Sequence, residues 1–207
     1  MRSLAHTLIE KSKKNAPFIV ALSGIDGSGK GYVGQQLTDH IRSAGLSCEL
    51  IGIDGWLQPP SKRFSTEDPA RHFYENGFRF EEMQSQLLAP LRTVGRVDLV
   101  AQHADPTNAE PMVEFRYQID RPDIILFEGI FLLQDRFRFD YSIWIDCSFE
   151  TAMDRALARN QEGLPEDDIR RDYETIYFPA QRIHLERDNP RERCDFILLN
   201  DEQLSPS

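Results

Sequence analysis

Five short apolar runs punctuate the chain, at Phe18–Ser23, Cys48–Ile53, Ile124–Glu128, Tyr141–Asp146 and Phe196–Leu199. Each has the length of a strand rather than a helix and is bounded by turn-forming or polar residues, which predicts buried strands. Helical periodicity separates several of them, over Gly31–Ala44, Ser148–Asn160 and Glu166–Glu186. Strands alternating with helices predict βαβ units and a parallel sheet covered on both faces, an α/β doubly wound fold. The stretch 55–121 is too long for a simple crossover. It reads as a helix over Phe80–Arg92, a strand over Val97–Ala101, and turns at Pro59-Pro60 and Asp105-Pro106. A long excursion at one end of a sheet is usually functional, so it is expected to form an inserted substrate lobe. At the start, Leu4, Leu8 and Ile9 set against Lys11, Lys13 and Lys14 predict an amphipathic helix over Met1–Asn15. That segment lacks the continuous apolar stretch and cleavage site of a signal peptide, and no run reaches membrane-spanning length.

The junction of the first strand and the first helix carries the most specific pattern. Gly24-Ile-Asp26-Gly27-Ser28-Gly29-Lys30 fits G-x-x-x-x-G-K, the phosphate-binding P-loop, and it lies between a strand and a helix as that motif requires. Unpaired N–H groups and the helix dipole favour an anion there, and the lysine adds a point charge. Gly24, Asp26, Gly27, Ser28, Gly29, Lys30, Gly31 and Tyr32 are therefore the expected nucleotide-binding residues. One position departs from the pattern. The residue after the lysine should be Ser or Thr, whose hydroxyl holds Mg²⁺, and here it is Gly31.

In open parallel sheets, ligands bind beyond the carboxyl ends of the strands. The second strand ends in Asp54 and the third in Glu128-Gly129, so two carboxylates are delivered to the edge that bears the loop. One can accept the proton of an attacking hydroxyl and the other can organise Mg²⁺, which is what phosphoryl transfer requires. Asp54 is the candidate base and Glu128 the candidate metal organiser. Arg155 and Arg159, four apart, share one helix face, and Gln161-Glu-Gly163-Leu-Pro165 breaks the helix after them. They are candidate lid arginines over the phosphates, in a lid of about 155–172. Arg170 and Arg171, surrounded by Glu166, Asp167, Asp168 and Asp172, read as a solvated face.

Charge narrows the partners. A formal net charge of −10 argues against nucleic acid or an anionic membrane surface, both of which need a basic face. Cys48, Cys147 and Cys194 are odd in number and widely spaced, the usage of reduced thiols in a cytoplasmic protein. Trp56, Phe73, Tyr74, Phe78 and Phe80 read as packing of the inserted lobe, and His103-Ala-Asp105 as a polar turn.

Taken together, the motifs resemble the uridine kinase-like branch of the P-loop small-molecule kinases, along nearly the whole chain after residue 17. Ile53-Asp54-Gly55-Trp56 is similar to the family's Asp-x-aromatic segment, and Phe127-Glu128-Gly129-Ile130 to its Phe-Glu-Gly-Ile segment. Arg155 and Arg159 fall where the family carries lid arginines, and Asn189-Pro-Arg-Glu-Arg-Cys-Asp195-Phe-Ile leads into the last strand as it does there. Asn160 stands where an aspartate commonly follows. The resemblance implies one P-loop kinase domain over 1–207, with ATP and Mg²⁺ as cofactors. It implies transfer of the γ-phosphate to a hydroxyl of a small metabolite, a nucleoside such as uridine foremost. Pantothenate, glycerate or a sugar are alternative acceptors, and a homo-oligomer is compatible with the pattern. Gly31 keeps a second class open, a nucleotide-binding sensor with weak turnover.

Overall fold

The structure is a computed structural model that describes residues 1–12, 17–105, 112–160 and 163–201. Among these residues a five-stranded sheet runs in the order β2-β5-β1-β6-β7, with every neighbouring pair parallel. Its strands are β1 (Phe18–Gly24), β2 (Cys48–Gly52), β5 (Ile124–Gly129), β6 (Tyr141–Asp146) and β7 (Phe196–Leu199). The α/β doubly wound expectation holds. The central position of β1 explains its composition, since all seven of its residues are buried and two helical layers must be packed at once. On one face Val20 and Leu22 join Leu4, Leu8, Val33, Leu37 and Ile41 of the helices Arg2–Ser12 and Lys30–Ser43. On the other, Ile19 and Ala21 join Phe127, Trp144, Ala152 and Phe178.

The outermost run, Phe196–Leu199, corrects one expectation. It forms β7 at the expected residues but is not buried, with Phe196, Ile197 and Leu199 at 37, 40 and 77% exposure. β7 pairs only with β6, so it lies at the sheet edge where one side has no strand. The expected N-terminal helix is present as Arg2–Ser12, and its last expected residues, 13–15, lie outside the described residues. So do 106–111 of the excursion and 161–162 of the lid turn.

Inside the excursion a helix spans 80–94 and a strand, β3 (Arg96–His103), pairs antiparallel with β4 (Val113–Asp120). β4 and the short helices Pro60–Arg63 and Pro69–Asn76 went unread in the sequence. β4 is exposed except at Tyr117 and Ile119, so its apolar signal is weak. Both long helices, 80–94 and 166–188, contain a wider π-turn, at Gln84–Leu88 and Tyr173–Tyr177. A proline follows each closely, Pro90 and Pro179. A proline inside a helix has no N–H and crowds the carbonyl four residues back, and here Gln86 and Thr175 fall within the widened turns. The extra residue per turn absorbs that clash without breaking the helix.

The helix Phe149–Arg159 starts at Ser148, whose Oγ accepts from the Thr151 N–H at 3.2 Å, and stops at Asn160 in a left-handed conformation. An N-cap hydroxyl of this kind is worth about 1 kcal/mol. Ser148→Ala should therefore lower the melting temperature by roughly 2–4 °C without altering the sheet, as thermal denaturation can check.

Candidate active site

The loop after β1 turns on two glycines with positive φ, Gly27 at 76° and Gly29 at 87°. A Cβ on Gly27 would lie 2.4 Å from the Ala152 carbonyl oxygen, and one on Gly29 would lie 2.7 Å from Asn200 Nδ2. Backbone bars a side chain at Gly27, while at Gly29 the left-handed φ would strain one and Asn200 would have to shift. Gly29 caps the helix Lys30–Ser43, whose first-turn N–H groups have no intrahelical acceptor and face outward as anion donors. Lys30 is 7% exposed, and its Nζ donates to the Ile25 carbonyl at 2.8 Å. Two of the expected backbone donors have partners within the loop: Ser28 N–H donates to Ile25 O at 3.1 Å, and Gly27 N–H to Asp26 Oδ1 at 2.9 Å. The cradle fits a polyphosphate.

Gly31 sits in the first turn with no atom within 4 Å of where its Cβ would be. Tyr32 is 56% exposed, and its hydroxyl accepts from Gln36 Nε2, so its side chain turns to solvent. Among the described residues no group of three or more His, Cys, Asp or Glu side chains is arranged to hold a metal ion. A Mg²⁺ at this edge would rely on nucleotide and water oxygens, with Glu128 as a candidate protein donor.

The two predicted carboxylates meet the loop in one place. In the sheet register Gly52 of β2 lies opposite Glu128 of β5, and Asp54 opens the short helical turn Asp54–Trp56 just beyond β2. A Cβ on Gly52 would be 3.6 Å from Glu128 Oε2, while Gly129 is packed so closely on Ile53 that no Cβ fits there. Burial pushes the Glu128 carboxyl up to about 7, aided by Asp54 and Asp26 and opposed by Lys30 and Arg159. Asp54 opens to solvent at the mouth of the cleft yet is ringed by protein. That crowding raises its pKa, Asp26 adds to the rise, and Lys30, Arg159 and Arg63 oppose it. Each carboxylate thus feels the same lysine and the same arginine, Arg159.

Both candidate lid arginines reach the loop. Arg155 Nη1 donates to Ser28 O at 3.5 Å, and Arg159 Nη2 is 3.9 Å from Asp26 Oδ1. Arg170 and Arg171 pair with Glu166, Asp168 and Asp172, a charged surface as read from the sequence. Other residues at the site were not foreseen. Arg63 is 3% exposed and faces Asp54 and Tyr177 electrostatically. Asn200 Nδ2 donates to Ser28 O at 2.7 Å. Tyr173 and Gln181 bond to Asp26. Asn200 follows the last strand directly, so reading strand ends one element further would have found it. The other three depend on contacts distant in sequence.

Beside the carboxylates, a cleft of about 350 Å³ lies between β2 and β4, lined in part by Gly52, Gly55, His103, Phe115 and Tyr117. His103 stacks on Phe115 with centroids 4.5 Å apart and planes 4° apart, and shares a 2.9 Å hydrogen bond with the Tyr117 hydroxyl. Burial lowers the His103 pKa to about 4, with Arg79 adding to the effect, so the ring is neutral near pH 7. Phe115 is 47% exposed. Trp56, Phe73, Tyr74, Phe78 and Phe80 are all buried in the core, as the packing expectation had it.

The fold has known counterparts. One solved structure, described as a possible uridine kinase from Bacillus stearothermophilus, superposes with a TM-score of 0.68 at 19% identity, over 95% of this chain and 99% of that one. A candidate fructose transport system kinase from Silicibacter sp. TM1040 gives 0.74 at 20% identity, over 95 and 98%. A D-glycerate 3-kinase from Cryptococcus neoformans gives 0.62 at 12% identity, over 99 and 97%. No protein-family model and no curated protein matches the chain. The chain has the fold of the P-loop small-molecule kinases. No helix among the described residues is long and apolar enough to cross a membrane.

The raised Glu128 pKa has a consequence for stability. The folded state holds the proton more tightly than the unfolded chain, so the stabilisation is complete below the ordinary carboxylate pKa. It is lost as pH rises through about 7. In nucleotide-free protein, Glu128→Gln should raise the melting temperature by a few degrees at pH 8 and change it little at pH 5. Equal shifts at both pH values would show that Glu128 does not titrate in that window.

Proposed function

We propose that the chain is an ATP- and Mg²⁺-dependent phosphotransferase acting on an alcohol group of a small metabolite. The observation that carries this reading is the convergence of Lys30, Arg159, Asp54 and Glu128 on one cleft at the mouth of the phosphate loop. Asp54 takes the proton from the acceptor hydroxyl, whose oxygen bonds to the γ-phosphorus as the bond to the ADP oxygen breaks. Its raised pKa suits a base, because a more basic carboxylate draws the proton further. Lys30, Arg155 and Arg159 balance charge on the transferring group. Mg²⁺, when bound, would shield the phosphates, with Glu128 organising it.

The fold relatives bear names that point to different acceptors (uridine, fructose and D-glycerate), so fold alone does not choose among them. The cleft between β2 and β4 supports a flat acceptor such as a nucleoside. Its lining includes Gly52, paired with Glu128 in the sheet register, and Gly55, next to Asp54 in the chain, and it offers the half-exposed Phe115 and neutral His103 as uncharged ring surfaces. Three cysteines that form no disulfide suit a cytoplasmic setting. A screen of nucleosides, sugars and small hydroxy acids for ADP release above the acceptor-free rate tests the assignment. With the best acceptor, Asp54→Asn should keep ATP affinity within about twofold and lower kcat by at least ~10²-fold. Unchanged turnover would remove Asp54 from its role.

Gly31 supports a second reading, a nucleotide-binding sensor with little turnover, because the loop lacks its metal-binding hydroxyl. No atom lies within 4 Å of where a Cβ at Gly31 would be, so the backbone there accepts a serine Cβ without a clash. In a kinase, Gly31→Ser should lower the Mg²⁺ concentration needed for half-maximal ADP production. In a sensor, it should tighten Mg²⁺-nucleotide binding while turnover stays at background. Identical Mg²⁺ curves with robust turnover in both proteins would mean that another residue supplies the ligand.

A further inference from the structure

Asp26 is gripped from a distance. Its backbone N–H donates to Gln181 Oε1 at 3.0 Å, and its Oδ2 accepts from the Tyr173 hydroxyl at 2.5 Å. Its Oδ1, the remaining oxygen, accepts from Gly27 N–H, so the carboxylate fixes the turn into the first positive-φ glycine. Both gripping side chains come from the 166–188 helix and both are buried, Tyr173 at 3% and Gln181 at 2% exposure.

Packing alone gives a poor account of Gln181. Its Nε2 is buried with no hydrogen-bond partner, and a buried donor left unpaired is costly. An apolar side chain of the same volume would avoid that cost but would lose the acceptor for Asp26 N–H. Tyr173 opens the π-turn Tyr173–Tyr177. The turn's extra residue shifts the register of everything before it relative to Gln181. Two residues eight positions apart would stand some 80° apart on a regular α-helix; here both bond to Asp26.

We infer that Tyr173 and Gln181 are positioning residues for the nucleotide: together they clamp Asp26 and hold the phosphate loop in its phosphate-receiving shape. The inference rests on the kinase reading of the site only as far as nucleotide binding. Neither side chain needs to touch the nucleotide. Without the clamp, Asp26 loses an acceptor for its N–H and a donor to its carboxylate, and the turn at Gly27 is no longer fixed before phosphate arrives. The ordering cost then falls on binding. The same helix carries Asp188, whose carboxylate accepts from Tyr74 of the excursion helix Pro69–Asn76 at 2.5 Å. Movement of that helix is thus mechanically linked to both the loop and the excursion.

The test is calorimetric titration of a non-hydrolysable ATP analogue into the full chain and into Tyr173→Phe, Gln181→Met, Asp26→Ala and the double variant Tyr173→Phe/Asp26→Ala. Each single variant should weaken nucleotide binding roughly 5- to 20-fold. Tyr173→Phe should add less than about twofold in the Asp26→Ala background, because its effect passes through that carboxylate. Where an acceptor is known, its KM should stay within about twofold in Tyr173→Phe. A parent that binds the analogue and single variants that bind equally well would overturn the clamp and leave the kinase reading intact. Additive losses in the double variant would overturn the route through Asp26. A parent that binds no analogue would overturn both.

Discussion

A buried ammonium facing two crowded carboxylates is the interaction around which the site is organised. Lys30 is almost wholly removed from water, and its charge opposes the rise in pKa of both Asp54 and Glu128. Removing an ammonium from water is expensive unless partners offset it. In this structure the offset comes from the Ile25 carbonyl and from the field of the carboxylates. Lys30 and Arg159 in turn oppose the rise in pKa of both carboxylates, and Arg63 that of Asp54. A polyphosphate entering the cleft would bring negative charge to the lysine and push against the carboxylates. On the proposed reading, a cation arriving with the phosphates would relieve that repulsion, which is what Mg²⁺ with a nucleotide would supply.

That balance depends on backbone placement as much as on charge. β1 can be entirely buried because it is covered on both faces and its one hydroxyl, on Ser23, donates to the Gly129 carbonyl. Its last residue is a glycine because a Cβ there would lie 2.7 Å from the Ile145 carbonyl oxygen. β2 and β5 run parallel beside it in a register that sets Gly52 against Glu128. Small residues recur where the two carboxylate-bearing strands leave the sheet: Gly52, Gly55 and Gly129. At Gly55 and Gly129 a Cβ would strike His103 or Ile53. The close approach keeps the excursion tight against the strand ends, so His103 and Phe115 reach a cleft whose floor the sheet provides.

The sheet was legible because each of its strands is a short apolar run with turn residues at both ends, and the loop because G-x-x-x-x-G-K is local. That Asp54, Glu128, Arg155 and Arg159 would lie near the loop was legible through strand ends and helix spacing, whereas their roles belong to the proposal. β4 was not, because Val113–Asp120 buries only Tyr117 and Ile119 and draws its stability from pairing with β3. β7 was found in place but misjudged in burial: Phe-Ile-Leu-Leu looks like core, and only topology reveals that it is an edge. The grip of Tyr173 and Gln181 on Asp26 spans 147 and 155 positions in sequence. A tyrosine and a glutamine in a helical pattern carry no local sign of such a partner. The π-turns likewise need three dimensions, although Pro90 and Pro179 mark where a regular helix would be strained.

Gly31 is instructive for what surrounds it. Glycine in the first turn of a helix costs less than in the interior, because the N–H groups there have no intrahelical partners and the turn is anchored by its cap. The loop's phosphate-facing donors are backbone groups, so they survive the loss of a side chain at this position. What is lost is one oxygen for a metal ion, and Mg²⁺ readily fills such a place with water. The substitution therefore separates two properties that a serine would join. On the proposed reading, affinity for the phosphates would be set by Lys30 and the helix terminus, and the grip on the cation by the oxygens that Glu128, water and the nucleotide supply. In the proposed kinase, such a loop would hold nucleotide through its backbone and Lys30 while its metal dependence is governed from β5, the strand beside β1.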